Sequence, residues 1–112
     1  MPRKVSIATK VTADASASGK TTVFTVPGAY VFRTASVYIS FPAGTYGELE
    51  ISLYRGEQKI APYSGVYTGD ACVIEDEFIE DIASAERVII QYKNNNATQA
   101  REANIIIRGE LA

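Results

Sequence analysis

The chain is 112 residues long with 13 acidic and 11 basic residues, a formal net charge of −2. That length holds one domain with one modest core. With no histidine and a single cysteine, Cys72, the chain lacks the commonest general base and metal ligand and can form neither an internal disulfide nor a thiolate cluster.

The N-terminus, Met1-Pro2-Arg3-Lys4, leads into no apolar run, so neither a signal peptide nor a membrane span is expected. "KVSIATKV" then alternates, with Val5, Ile7 and Val11 on one side and Lys4, Ser6, Ala8 and Lys10 on the other. "TADASASG" is built of small polar residues that cannot form a core. It is expected to be a flexible joint between a first strand and the body. On this reading residues 1–20 are an extended N-terminal arm and hinge, and residues 21–112 a single β-sandwich domain.

Gly19-Lys20-Thr21 has the form of the end of a phosphate-binding loop. Such a loop needs a glycine where Asp14 stands, and a helix must come after it to present its N-terminal amides. The chain instead continues into "TTVFTV", β-branched and aromatic, a strand. The tripeptide is therefore assigned to a strand entrance, with Thr22, Phe24 and Val26 opening the packed body.

After the break at Pro27-Gly28, "TASVYISF" puts Val37, Ile39 and Phe41 on one face, and Pro42-Ala43-Gly44 turns the chain. In "GELEISLYR", Leu49, Ile51 and Leu53 point in while Glu48, Glu50, Ser52 and Tyr54 point out. Arg55-Gly56-Glu57-Gln58 is a hairpin signal, and Pro62 demotes the following strand to an edge. "DACVIEDEFIEDI" alternates through Cys72, Ile74, Phe78 and Ile82, interrupted by Asp76 and Glu80. Cys72 is expected to be a small buried hydrophobe. The stretch from Asp76 to Ala85 is the only one that could form a helical turn. "ERVIIQYK" and "ANIIIRGEL" are strands separated by the polar loop "KNNNATQAREA", in which Asn96-Ala97-Thr98 reads as a turn. About eight strands with regular turn signals make an all-β, antiparallel β-sandwich, jelly-roll-like.

Charge is segregated along the chain. Residues 1–40 carry five basic residues against Asp14, whereas residues 41–86 carry Arg55 and Lys59 against ten acids. A basic arm could lie on an acidic face, its own or a neighbour's. No basic cluster is interleaved with aromatics, so nucleic acid is not an expected partner. Glu75, Asp76, Glu77, Glu80 and Asp81 are dense but lack the spacing of a calcium loop, and alternation splits them between two faces. They read as a solvated face. No nucleophile has a base placed beside it, so no catalytic residue, cofactor or metal is expected and the chain is not read as an enzyme. The candidate site is a protein interface: Arg3, Lys4, Val5, Ile7, Lys10 and Val11 on the arm, with Tyr46, Tyr54, Tyr63 and Tyr67. An alternative use of those tyrosines is to stack on sugar rings.

Two segments carry a resemblance. "SGKTTVFTVPGAYVFRTASVYISF", Ser18 to Phe41, resembles a phrase common in phage tail, fibre and head-decoration proteins, in which Gly-x-Thr-Thr-x-Phe-Thr-Val-Pro precedes an alternating strand. "FIEDIASAERVIIQYKNNN … ANIIIRGEL", Phe78 to Leu111, is similar to the last strands of jelly rolls of the complement and tumour-necrosis-factor type. It departs from them at Ser84-Ala85, where those families usually carry a glycine. The resemblance implies a small virion protein, a capsid decoration or cement subunit or a tail or fibre component, assembled in the host cytoplasm. Its implied partners are the major capsid protein, other virion proteins and its own copies, with a trimer favoured.

Overall fold

The computed structural model describes residues 2–112, and among these there is no helix. Nine strands run in order: β1 (Arg3–Ala13), β2 (Ser18–Thr25), β3 (Phe32–Phe41), β4 (Leu49–Arg55), β5 (Gln58–Ala61), β6 (Cys72–Glu77), β7 (Asp81–Ile82), β8 (Arg87–Asn94) and β9 (Arg101–Leu111). They form two antiparallel sheets, β1-β9-β3-β6 with β7 attached to β3, and β2-β8-β4-β5. With β7 set aside, the pairings nest. β4 pairs β5, β3 pairs β6, β2 pairs β8 and β1 pairs β9. This is one long hairpin rolled so that its successive pairs fall in alternate sheets. Ladders between β3 and β9 and between β4 and β8 close each sheet. The result is a jelly-roll sandwich.

The core follows from the period-two pattern. Val37, Ile39, Phe41, Ile105 and Ile107 project from the first sheet onto Leu49, Ile51, Leu53, Val88 and Ile90 of the second, all with 1% exposure or less. Each such side chain contributes roughly 1.5–3 kcal/mol of burial. Phe24 and Phe32 meet edge to face across the two layers, with centroids 5.3 Å apart.

Bulges adjust the alternation in two strands. In β2 the register shifts between Thr22 and Phe24. Thr21 is therefore on the inward side opposite Ile90, while Thr22, expected to pack inward, shares the outer side with Ile89. In β3 the shift lies between Thr34 and Ser36. Buried Thr34 donates its hydroxyl to the Phe78 carbonyl at 2.9 Å and accepts the Glu80 amide at 2.8 Å. These bonds split the acidic segment into β6 and β7, where one alternating strand was expected, and no helical turn forms over 76–85. Gly109 pairs with Thr34, and a Cβ there would run into the Arg33 carbonyl and the Phe32 ring.

The expected arm and hinge take a different form. From Arg3 to Ala13, β1 is paired with β9 at every position, and Val11 and Ala13 are buried in the chain's own core. Its partner lies about a hundred residues away in sequence, beyond the reach of a local reading. Met1 lies outside the described residues. The "flexible" segment is a tight turn in which the Ala17 amide donates to the Asp14 carbonyl at 3.0 Å. Asn94, 1% exposed, spreads its side-chain amide over the carbonyls of Ala13, Asp14 and Gln99 at 3.2, 3.1 and 2.9 Å. Asn96 holds the following loop by accepting the Thr98 and Gln99 amides at 2.9 and 2.7 Å, so Asn96-Ala97-Thr98 is indeed a turn. The Arg55–Gln58 hairpin and the stop of β5 before Pro62, at the sheet's edge, match expectation.

Candidate functional site

The outward side chains of the β1-β9-β3-β6 sheet form ordered rows across the strands. One row reads Lys4, Glu110, Arg33, Asp81, alternating in sign. The next reads Ser6, Arg108, Ser36, Glu77, and the next Ala8, Ile106, Tyr38, Glu75. Opposite charges placed side by side on a sheet face stabilise it modestly and order the side chains.

Particular contacts tie these rows together. Arg33 donates to both Asp81 oxygens, at 2.7 and 3.2 Å. That hydrogen bond raises the Arg33 pKa and holds the Asp81 carboxyl below its ordinary 3.8. Arg108 lies 4.6 Å from the centre of the Tyr38 ring, whose hydroxyl donates to Glu75 at 3.0 Å. Lys10 pairs with Glu102 at 2.9 Å. Above the β3 bulge the face is concave. A groove of about 530 Å³ opens there, lined by Lys4, Ser6, Ala35, Ser36, Arg108 and the exposed Ile79 among others.

The sequence-derived interface residues separate into groups. Arg3, Lys4 and Lys10 are exposed on the edge strand β1, as expected. Val5 and Ile7 are half-buried and Val11 is buried, facing the core, so they are not a sticky surface awaiting a partner. Tyr46 and Tyr63 are exposed, at 72% and 104%. Tyr54 is half-buried on the outer face of the other sheet, with the Lys20 ammonium 4.6 Å from its ring centre. The lysine of the Gly19-Lys20-Thr21 tripeptide thus sits on a strand. Tyr67 is buried and pairs with Ile51, and its hydroxyl donates to Asp76 at 2.6 Å across the sandwich edge. Burial first, and this bond second, raise the phenol well above its ordinary pKa of 10. The four tyrosines therefore do not form one patch.

Cys72 is exposed on β6, contrary to the buried expectation, because β6 is an edge strand. Glu75 and Glu77 share the outer face while Asp76 turns inward to Tyr67, as alternation implies. Among the described residues no three acids or cysteines gather as metal ligands. Arg33, Tyr38, Arg108 and Glu110 are the face residues that sequence reading did not single out. Their signal was present, since each occupies a polar slot in an alternating strand, but only the strand order sets them side by side.

The sequence matches no protein-family profile and no characterised protein. Solved structures match its fold over nearly the whole chain. A protein in the acid-stable capsid of Helicobacter pylori bacteriophage KHP30 superposes with a TM-score of 0.54 and 14% identity, covering 97% of this chain and 93% of that one. FLHE gives 0.53 and 9%, covering 96% of each chain. A protein of Bacillus endospore appendages, described as disulfide-linked pili, gives 0.52 and 15%, covering 99% of this chain and 89% of that one. At such identities the likeness is one of fold.

Proposed function

We propose that the chain is a structural protein of a virion, a decoration or cement subunit that adheres to the capsid and to its own copies. The observation that carries this reading is the full-length fold likeness to a protein of a phage capsid, joined to the phage-type phrase from Ser18 to Phe41. The outer sheet face suits adhesion. It is a ladder of alternating charges with an exposed aliphatic side chain at its groove, a pattern that recognises a complementary surface. On this reading the protein is not an enzyme and resides on the particle after assembly in the host cytoplasm.

Mass spectrometry of density-purified particles from the source culture tests it. The chain is expected in the particle band at a stoichiometry comparable with a shell protein. Its confinement to particle-free fractions would sink the proposal. Tyr46 and Tyr63, both exposed, favour one second reading, a glycan- or receptor-binding module. Glycan-array binding that is lost in Tyr46→Ala and Tyr63→Ala would favour it over cement.

A further inference from the structure

We infer that this protein associates with itself by joining the free β6 edge of one copy to the free β1 edge of the next, extending the four-strand sheet head to tail. Neither strand has its outer backbone paired. Among the described residues β1 pairs only with β9 and β6 only with β3, and no other backbone-to-backbone bond reaches either strand. Such an edge is a template for another strand.

Direction, face and charge all suit this occupant. The sheet holds an even number of antiparallel strands, so β1 and β6 run in opposite directions. A second copy displaced sideways, without being turned over, brings its β1 antiparallel to β6 with the same face outward. The edges are also opposite in charge. β1 carries Arg3, Lys4 and Lys10 and no acid, while β6 carries Glu75, Asp76 and Glu77 and no base. Among the described residues Arg3, Lys4, Glu75, Asp76 and Glu77 form no ion pair within the chain. Carried across the junction in this register, the alternating row Lys4, Glu110, Arg33, Asp81 runs through β7, which continues the β6 side of the sheet, and meets the next copy's Lys4 beside Asp81. The next copy's Ser6 and Ala8 fall beside Glu77 and Glu75 of β6. Like edges repel, so β1 to β1 and β6 to β6 pairings are disfavoured and the contact is heterologous. Rotation per step then decides between a closed ring and an open row.

The contact needs no capsid, so its test uses the purified full chain, and a negative result leaves the virion reading standing. Sedimentation at low ionic strength should give a mass several-fold above the 12.1 kDa monomer. The mass should fall to the monomer as salt rises from 0.01 M, where charges act over about 30 Å, to 1 M, where they act over about 3 Å. Arg3→Glu with Lys4→Glu makes both edges acidic, and Glu75→Lys with Glu77→Lys makes both basic. Each double variant should be monomeric with an unchanged circular dichroism spectrum, and an equimolar mixture of the two should associate again. A wild-type chain that stays monomeric at low salt overturns the inference, as does a mixture of folded variants that fails to associate. If either variant fails to fold, the salt titration decides alone, and a mass insensitive to salt overturns the inference equally.

Discussion

Asn94 sits at an inward position of β8 opposite Leu49, where a hydrophobic residue would ordinarily pack. Its amide instead gathers carbonyls from both loops that meet at that end of the sandwich. Asn94→Ala would leave the buried Ala13 carbonyl without this partner and release the part-buried carbonyls of Asp14 and Gln99, at an expected cost of about 1–3 kcal/mol. A denaturant titration should show a lower midpoint with an unchanged slope. Tyr67 makes a comparable link at the side of the sandwich. Its pKa is raised in the folded chain, so the stability it supplies is complete below the ordinary value of 10 and is lost as pH rises beyond it. Tyr67→Phe is expected to cost about 1–3 kcal/mol at neutral pH. The variant should also lose less stability than wild type between about pH 9 and 11, as paired denaturation curves would show. Neither role was legible in sequence. An asparagine in a polar loop and a tyrosine before an acidic run look like solvated residues until their partners are placed.

At the scale of elements, β1 is where reading and structure diverge most. Its alternation was plain, and Val11 was assigned to an apolar side. What that side met was not. Because β1 caps β9 along its whole length, removing residues 1–13 should expose the buried face of Ile105 and Ile107 and orphan eleven residues of ladder. We expect the truncated chain to lose its cooperative thermal transition. A truncated protein that melts at the wild-type temperature would show that β1 is dispensable to the fold. Elsewhere the local signals worked well. Leu49, Ile51 and Leu53 face inward as their spacing implies, and Arg55–Gln58 turns as its glycine implies. The misreadings in β2 and in the β6–β7 segment both lie at bulges, one in β2 itself and one in its neighbour β3. In β2 a bulge between Thr22 and Phe24 puts Thr22 on the outer side while Phe24 and Val26 still face in. In the acidic segment the inward face runs on through Ile74, Phe78 and Ile82, although the Thr34 bonds at the β3 bulge divide the strand.

For the whole molecule, the nested pairing sets Arg3 beside Leu111 at one end of a sheet and leaves that sheet with one basic and one acidic edge. The charge segregation seen along the sequence thus becomes segregation across a sheet, which is what gives self-association a direction. The sequence by itself determined the all-β class, the number and inward face of most strands, and the assignment of Gly19-Lys20-Thr21 to a strand rather than a nucleotide loop. These rest on the two-residue pleat and on turn chemistry, which act over a few neighbours. Only the tertiary structure decided that β1 belongs to the sheet, that Tyr67 and Val11 are buried, and which charges share a row. Strand pairing is chosen by burial and backbone hydrogen bonds summed over segments as distant as Arg3 and Leu111, and no local window contains both partners.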